Sequence, residues 1–231
     1  MRRLCAIFSF FIGMLICTSA HSADARYSWY MRFIEDVPRE AENNLRSLVE
    51  YLSAPMQNDY DKAQAYAYWI ASHIVYDRYL YNKGSTTKLL KDYHGQTPEE
   101  LLQTRVGICS DFANLFVAMC EIGNVKAGYI SGYTFGKGES KSSRKDRANS
   151  AHAWNYFRYN GKKVYLDTTW MAKGKLDVDG RVSKFQRKRA MENIERDNKW
   201  RSVIYPIDPY YFDFSYRDEY SKQNVKRIER E

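Results

Sequence analysis

The chain has 231 residues, a formal net charge of +8 and 44% hydrophobic residues, which suits one compact domain with an appendage. That charge excess amounts to ordinary solubility charge or a weak preference for acidic surfaces. No ordered interleaving of aromatic and basic residues marks a nucleic-acid module.

Met1-Arg2-Arg3 is a short positive start, Leu4 to Cys17 is almost wholly apolar, and small residues follow to Ala23. This is the outline of a secretory signal peptide, with an apolar run too short to span a bilayer. Cleavage after Ala20, Ser22 or Ala23 fits. The last would leave residues 24–231 with a net charge of +6 and an exported chain, periplasmic or secreted, with no transmembrane segment. Cys5 and Cys17 would leave with the signal. Cys109 and Cys120 remain, eleven positions apart on one expected helix and so ~16 Å apart, beyond disulfide reach. Two unpaired thiols are unusual in a compartment that favours disulfides, and a reactive role for one would explain them. With two cysteines and three histidines (His73, His94, His152) no metal-ligand spacing emerges, and no cofactor is expected.

Leu45, Leu48, Val49 and Leu52 make a helical stripe between Pro38 and Ala54. A second packing helix starts near Asp59 or Asp61 and runs to about Ile74, with His73 read as a packed or surface histidine. Residues 83–87 read as loop. Thr97-Pro98-Glu99-Glu100 is a helix start, with threonine as cap, proline in the first turn and Glu100 reaching back. This short helix feeds the loop Arg105-Val106-Gly107-Ile108-Cys109.

From Phe112 the apolar residues recur at Leu115, Phe116, Met119 and Cys120, a core-facing stripe, and Gly123 is placed to stop the helix. Cys109 therefore sits at a helix N-terminus, where unpaired N–H groups and the dipole favour an anion such as a thiolate. The loop alone is equally compatible with a small buried hydrophobe.

Val125 to Tyr133 has strand composition, and residues 136–150 read as a basic mobile loop. Ala151 to Tyr159 and Lys162 to Thr169 are strand-like runs joined by Asn160-Gly161, the signature of a two-residue type I′ hairpin. Counting outward pairs Tyr159 with Lys162, Phe157 with Val164, Trp154 with Asp167 and His152 with Thr169. His152, Trp154 and Asp167 then share a face, with His152 and Asp167 diagonal neighbours ~7–8 Å apart. Phe157, Val164 and Leu166 lie on the other face. Joined to Cys109, the pair makes a nucleophile, a base and an orienting carboxylate.

The order Gly107-Ile108-Cys109-Ser110-Asp111-Phe112-Ala113, His152-Ala153-Trp154-Asn155 and Asp167-Thr168-Thr169-Trp170 resembles the transglutaminase-like superfamily, nearest its kyphoscoliosis-peptidase and cytokinesis-type branch. The resemblance runs from about Asp61 to Trp170. It implies a papain-like α+β fold, with the cysteine at the N-terminus of a helix packed on an antiparallel sheet bearing His and Asp. It also implies Cys109 as nucleophile, His152 as general base and acid, and Asp167 as orienter. Intact triads of this superfamily serve peptidases, amidases and protein cross-linkers, while some members are non-catalytic.

The expected organisation is a signal peptide at 1–23, a helical segment at 24–60, the catalytic core at 61–170 and an extension at 171–231. The expected activity is on peptide or protein amides through a thioester, with hydrolysis ahead of Gln–Lys cross-linking. The alternative is a non-catalytic cell-envelope module holding a peptide or glycan. The backbone N–H of Cys109 is a candidate oxyanion donor, with Gln96 or Gln103 as side-chain candidates, and Trp154 either shields the His–Asp pair or packs the core. Residues 173–180 read as turn, 185–200 as an exposed charged helix, and the aromatics of 206–216 as packing over the domain or lining a groove. The charged tail from Arg217 is expected to fray.

Overall fold

A computed structural model of the chain describes residues 25–77, 80, 93–133, 151–174, 204–214 and 226–230. The expected signal peptide, the loop at 83–87, the basic loop at 136–150 and the charged helix at 185–200 lie outside the described residues. The chain divides into two compact units, residues 1–37 and 38–231. Of the first, residues 25–35 form helix α1, along which Trp29 stacks on Phe33 with ring centroids 5.4 Å apart.

The second unit holds everything else. A 3₁₀ turn (Ala41–Asn43) leads into α2 (Leu45–Ser53), capped by the Asn44 side chain accepting from Ser47 N–H at 2.9 Å. α3 (Asp59–His73) is capped in the same way by Asn58, and eleven of its fifteen residues, from Ala63 through His73, are buried. Such burial on all sides explains why periodicity marks α3 less sharply than α2. α4 (Pro98–Thr104) starts with the expected reciprocal cap: Thr97 Oγ1 accepts from Glu100 N–H at 3.1 Å, and Glu100 accepts from Thr97 N–H at 2.8 Å. α5 (Cys109–Ile122) carries the expected apolar stripe inward, with Phe112, Leu115, Phe116, Met119 and Cys120 all buried.

Gly123 ends α5 for a different reason from the one helix-stop glycines usually supply. Its φ is −79°, and Asn124 takes the left-handed conformation instead, at φ 59°. A Cβ at Gly123 would meet the Tyr66 hydroxyl of α3 head-on. The glycine permits close approach of two helices rather than a turn.

A short parallel pair, β1 (Val75–Tyr76) with β2 (Val106–Gly107), ties the end of α3 to the loop before Cys109. The main sheet is antiparallel, in the order β5-β4-β3-β6, built from β3 (Ala127–Tyr133), β4 (Ala151–Tyr159), β5 (Lys162–Leu166) and β6 (Lys226–Arg230). Asn160 and Gly161 both have positive φ, 49° and 75°, as a type I′ turn requires. The register is Tyr159↔Lys162, Phe157↔Val164 and Asn155↔Leu166.

Two expectations are corrected here. β5 ends at Leu166, so Asp167 does not pair with Trp154, nor His152 with Thr169. Asp167 instead caps a one-turn helix α6 (Thr168–Met171), its Oδ1 accepting from Trp170 N–H at 3.0 Å, and an Asp side chain that can cap a turn competes with strand continuation. The ladder partner of His152 is Gly132 on β3. The charged tail, expected to fray, supplies β6, whose backbone pairs with β3 from Tyr129↔Arg230 to Tyr133↔Lys226.

Both faces of the sheet are covered. α5 packs on one, where Ala153 meets Cys109 and Ala113. On the other, Ile130, Trp154 and Tyr156 pack with Phe214, flanked by Tyr165 and Trp170. The aromatic segment at 206–214 therefore packs. Phe212 is buried among Tyr60, Tyr68 and Phe157 and bridges to Leu166 along the open edge of β5. The fold is α+β, with the cysteine at the first residue of a helix laid on an antiparallel sheet. No helix among the described residues is long and apolar enough to cross a membrane.

Candidate active site

Cys109 is the first residue of α5, and its buried thiol, like that of Cys120, is free. The loop delivering it is held by one carboxylate. Asp111, 1% exposed, accepts from Ile108 N–H at 2.8 Å, from Gln96 N–H at 3.1 Å and from the Tyr93 hydroxyl at 2.5 Å. Burial and then the adjacent Asp111 push the Tyr93 hydroxyl well up, which keeps it a donor. Gly107 is required by the same packing, because a Cβ there would lie 2.9 Å from Asp111 Cβ and 2.8 Å from a Leu101 methyl.

On the upstream side Arg105 adopts φ 58° and is buried. Its guanidinium pairs with Glu42 at 3.1 Å and lies 4.5 Å from the centre of the Trp69 ring. His73 also stacks on Trp69, with ring centroids 4.6 Å apart. Burial, and then the Arg105 charge, lower His73 to about 3, so it is a neutral packing histidine.

His152 is the second residue of β4 and lies near Cys109. Its Nε2 donates to Asp167 Oδ2 at 2.6 Å, with the two side chains 8% and 0% exposed, and the Cys109 thiol lies near enough to favour the charged imidazole. With Nε2 engaged by Asp167, Nδ1 is the nitrogen left for sulfur. Burial disfavours the charged imidazole, but the Asp167 charge and hydrogen bond, helped by Cys109, outweigh it and raise His152 to about 10. The structure thus brings Cys109, His152 and Asp167 together.

Two indoles flank the imidazole at shallow angles. Trp154 lies at 5.8 Å and 21°, and Trp170 at 5.3 Å and 24°. Aromatic faces of this kind favour a cation. Trp154 is also part of the buried core.

The Gln96 amide donates to Val106 O at 2.8 Å and to the Tyr93 hydroxyl at 3.3 Å, and accepts from Thr104 at 2.6 Å. Its side chain holds the loop. Gln103 is exposed on α4.

Sequence reasoning left three contributors without a role. Trp170 was within reach, since it stands at the third position after a capping Asp. Asp111 likewise stands at the third position of a helix, from which a carboxylate can reach back to the N–H of the residue before the helix. Asn155 is a buried amide in a strand, whose Nδ2 donates to Ala113 O on α5 at 3.0 Å and to Gly128 O on β3 at 3.3 Å. It pins the helix of the cysteine to the strand of the histidine. Among the described residues no group of three or more His, Cys, Asp and Glu is arranged to hold a metal ion.

The profile of the Transglutaminase-like superfamily matches residues 46–172, more than half of the chain. The chain belongs to the transglutaminase-like superfamily. Within it, this transglutaminase-like protein is 30% identical over 148 residues to the kyphoscoliosis peptidase of Mus musculus, covering 62% of this chain and 20% of that one. The kyphoscoliosis peptidase of Homo sapiens is 31% identical over 149 residues, covering 63% and 20%. The chain thus spans about one fifth of the length of these relatives. A solved structure described as a TGase is 20% identical with a TM-score of 0.44, covering 73% of this chain and 42% of that one. These two relatives are consistent with the branch that the motifs around Cys109, His152 and Asp167 resemble.

Proposed function

We propose that this transglutaminase-like protein is an exported thiol enzyme that cleaves peptide or protein amide bonds. The observation that carries this reading is the His152 imidazole held by Asp167 at 2.6 Å, with the Cys109 thiol near it at the first residue of a helix. The imidazolium is the counter-ion a thiolate needs, and the helix N-terminus adds favourable partial charge.

In the proposed reaction Cys109 Sγ attacks the amide carbonyl, and the backbone N–H of Cys109, one of the unpaired amides at the start of α5, donates to the developing oxyanion. His152 gives its proton to the leaving amine as the C–N bond breaks, which leaves a thioester. The neutral imidazole then takes a proton from the incoming water, and collapse of the second tetrahedral species releases the acid and the thiol. Asp167 holds the imidazole tautomer throughout. An amine in place of water would give cross-linking. The naming of the relatives as peptidases favours water. Export rests on the charged, apolar and small-residue order of residues 1–23.

Casein incubated with the mature protein and a labelled primary amine separates the reactions. Cleavage without label, abolished in Cys109→Ala and His152→Ala, is the expected result. Label incorporation without cleavage overturns the peptidase reading in favour of acyl transfer. Neither product, with casein or envelope fragments bound equally by wild type and Cys109→Ser, would leave a binding module.

A further inference from the structure

The family match ends at residue 172, yet the catalytic carboxylate is gripped from beyond that point. Three of the bonds made by Asp167 bear on the site. Oδ2 takes the imidazole N–H of His152, Oδ1 takes the backbone N–H of Trp170, and its own backbone N–H donates to Tyr211 O at 2.9 Å. Asp167 therefore orients His152 and, through the turn of α6, the indole stacked on His152. The outer partner of that indole is again Tyr211, whose ring meets Trp170 edge-on at 5.3 Å and 80°. An edge-on contact of this kind is favourable and directional.

The segment that presents Tyr211 is well anchored. Ile207 bridges to Ala172, and Asp208 N–H donates to Met171 O at 2.8 Å. The Asp208 carboxylate accepts from Lys173 Nζ at 2.8 Å and caps the 3₁₀ turn Pro209–Tyr211. Phe212 and Phe214, on either side of Asp213, are buried, and Phe214 N–H donates to Tyr165 O at 3.2 Å.

The geometry assigns Tyr211, a residue outside the family domain, as a positioning residue for the base: it holds Trp170 against the His152 imidazole and ties down the backbone of Asp167. The physical need is clear. A ring held by one hydrogen bond to one carboxylate oxygen keeps freedom to tilt about that bond. Flat partners at 5.8 Å and 5.3 Å on Trp154 and Trp170 remove the freedom, but only as far as Trp170 is itself held. Tyr211 touches no reacting atom and acts through these neighbours. The inference rests on the proposed role of His152, and its readout is independent of turnover.

The test is NMR titration of the His152 ring in the full chain, with Tyr211→Ala, Tyr211→Phe and, as an exposed aromatic control in the other compact unit, Trp29→Ala. Among the described residues the titratable groups facing the ring are Asp167 and Cys109, and these variants leave both in place. Loosening the Asp167 contact in Tyr211→Ala is expected to lower the His152 midpoint by about one pH unit, a tenfold change in the protonation equilibrium. Tyr211→Phe keeps the ring and is expected to keep the midpoint, as is Trp29→Ala. Should Tyr211→Ala not fold, Tyr211→Leu carries the same expectation. An unchanged midpoint in the aliphatic variant overturns the assignment, as does an equal fall in Trp29→Ala. Iodoacetamide reaction of Cys109, measured alongside in wild type and His152→Ala, reports on the enzyme reading separately. An unactivated thiol together with a Tyr211-dependent midpoint would refute catalysis and leave the positioning role standing.

Discussion

Asp111 offers the sharpest test of how Cys109 is held. Its buried carboxylate is the acceptor for three donors, from Ile108, Gln96 and Tyr93, at 2.8, 3.1 and 2.5 Å. Hydrogen bonds to a charged group contribute about 1.5–3 kcal/mol each. All three donors are partly buried, so water entering the gap left by Asp111→Ala would recover part of the loss. The expected cost is about 3–5 kcal/mol, from the bond energies less that recovery, or a fall in Tm of about 6–20 °C for a chain of this size. Asp111→Asn keeps the shape and one acceptor oxygen but turns an NH₂ group toward a donor, which sets its cost at about 1.5–3 kcal/mol. Urea unfolding of Cys120→Ala and of the same chain with each substitution measures the stability, and alkylation at pH 6 measures the readiness of Cys109. Both should fall, because Ile108 N–H is the last fixed point before the cysteine. If both variants unfold within about 0.5 kcal/mol of the parent, the range of ordinary surface changes, the carboxylate is not the anchor of the loop.

Asn155 and the two buried histidines give further expectations. Asn155→Leu loses two donors but also removes Oδ1, which has no hydrogen-bond partner, so a loss of about 1–2 kcal/mol is expected. Asn155→Asp, which sets a carboxyl group against the carbonyls of Ala113 and Gly128, should cost more than about 3 kcal/mol, and the reverse order in urea unfolding would refute the clamp. His152 and His73 should tilt the pH dependence of stability in opposite senses. The folded value of His152 is raised from 6.5 to about 10, so its contribution is full below 6.5 and is lost as pH rises toward 10. The folded value of His73 is lowered to about 3, so its contribution is full above 6.5 and is lost as pH falls toward 3. Comparing unfolding of wild type, His152→Ala and His73→Gln across pH 4–10 should flatten the alkaline limb in the first variant and the acid limb in the second.

The parts of the fold that could be read from the chain are those governed by local rules. The Thr97 cap, the Asn160-Gly161 turn and the stripe from Phe112 to Cys120 each depend on residues within a few positions of one another. The hairpin register placed His152 near Asp167 by counting alone. What counting missed is where a strand stops, since Asp167 ends β5 by offering its own side chain to Trp170 N–H, a choice made by one carboxylate against one ladder bond. The tail from Arg217 failed for a related reason. Lys226–Arg230 reads as polar and exposed, yet it becomes a strand because β3 presents an open edge, and the edge is invisible from the tail itself.

The same division runs through the site. Cys109, His152 and Asp167 are chemically distinctive, so their types and order draw attention. Their supports do not share that property. Asp111, Asn155 and Arg105 would pass as surface residues by composition, and only tertiary contacts show that they are buried. Each joins two elements that the sequence separates: Asn155 links β4 to α5, Asp111 links α5 to the loop before α4, and Arg105 links the cysteine loop to Glu42 and Trp69. Buried polar groups are costly unless paired, so these contacts favour one relative placement of helix and sheet over slipped alternatives in which the same groups would lose partners. The distance between thiol and imidazole is set by this framework rather than by the two residues themselves. Substitutions at Asn155 or Asp111 should therefore alter Cys109 reactivity without touching the thiol, and a reactivity that tracks only His152 and Asp167 would show that the sheet and helix hold their spacing by apolar packing alone.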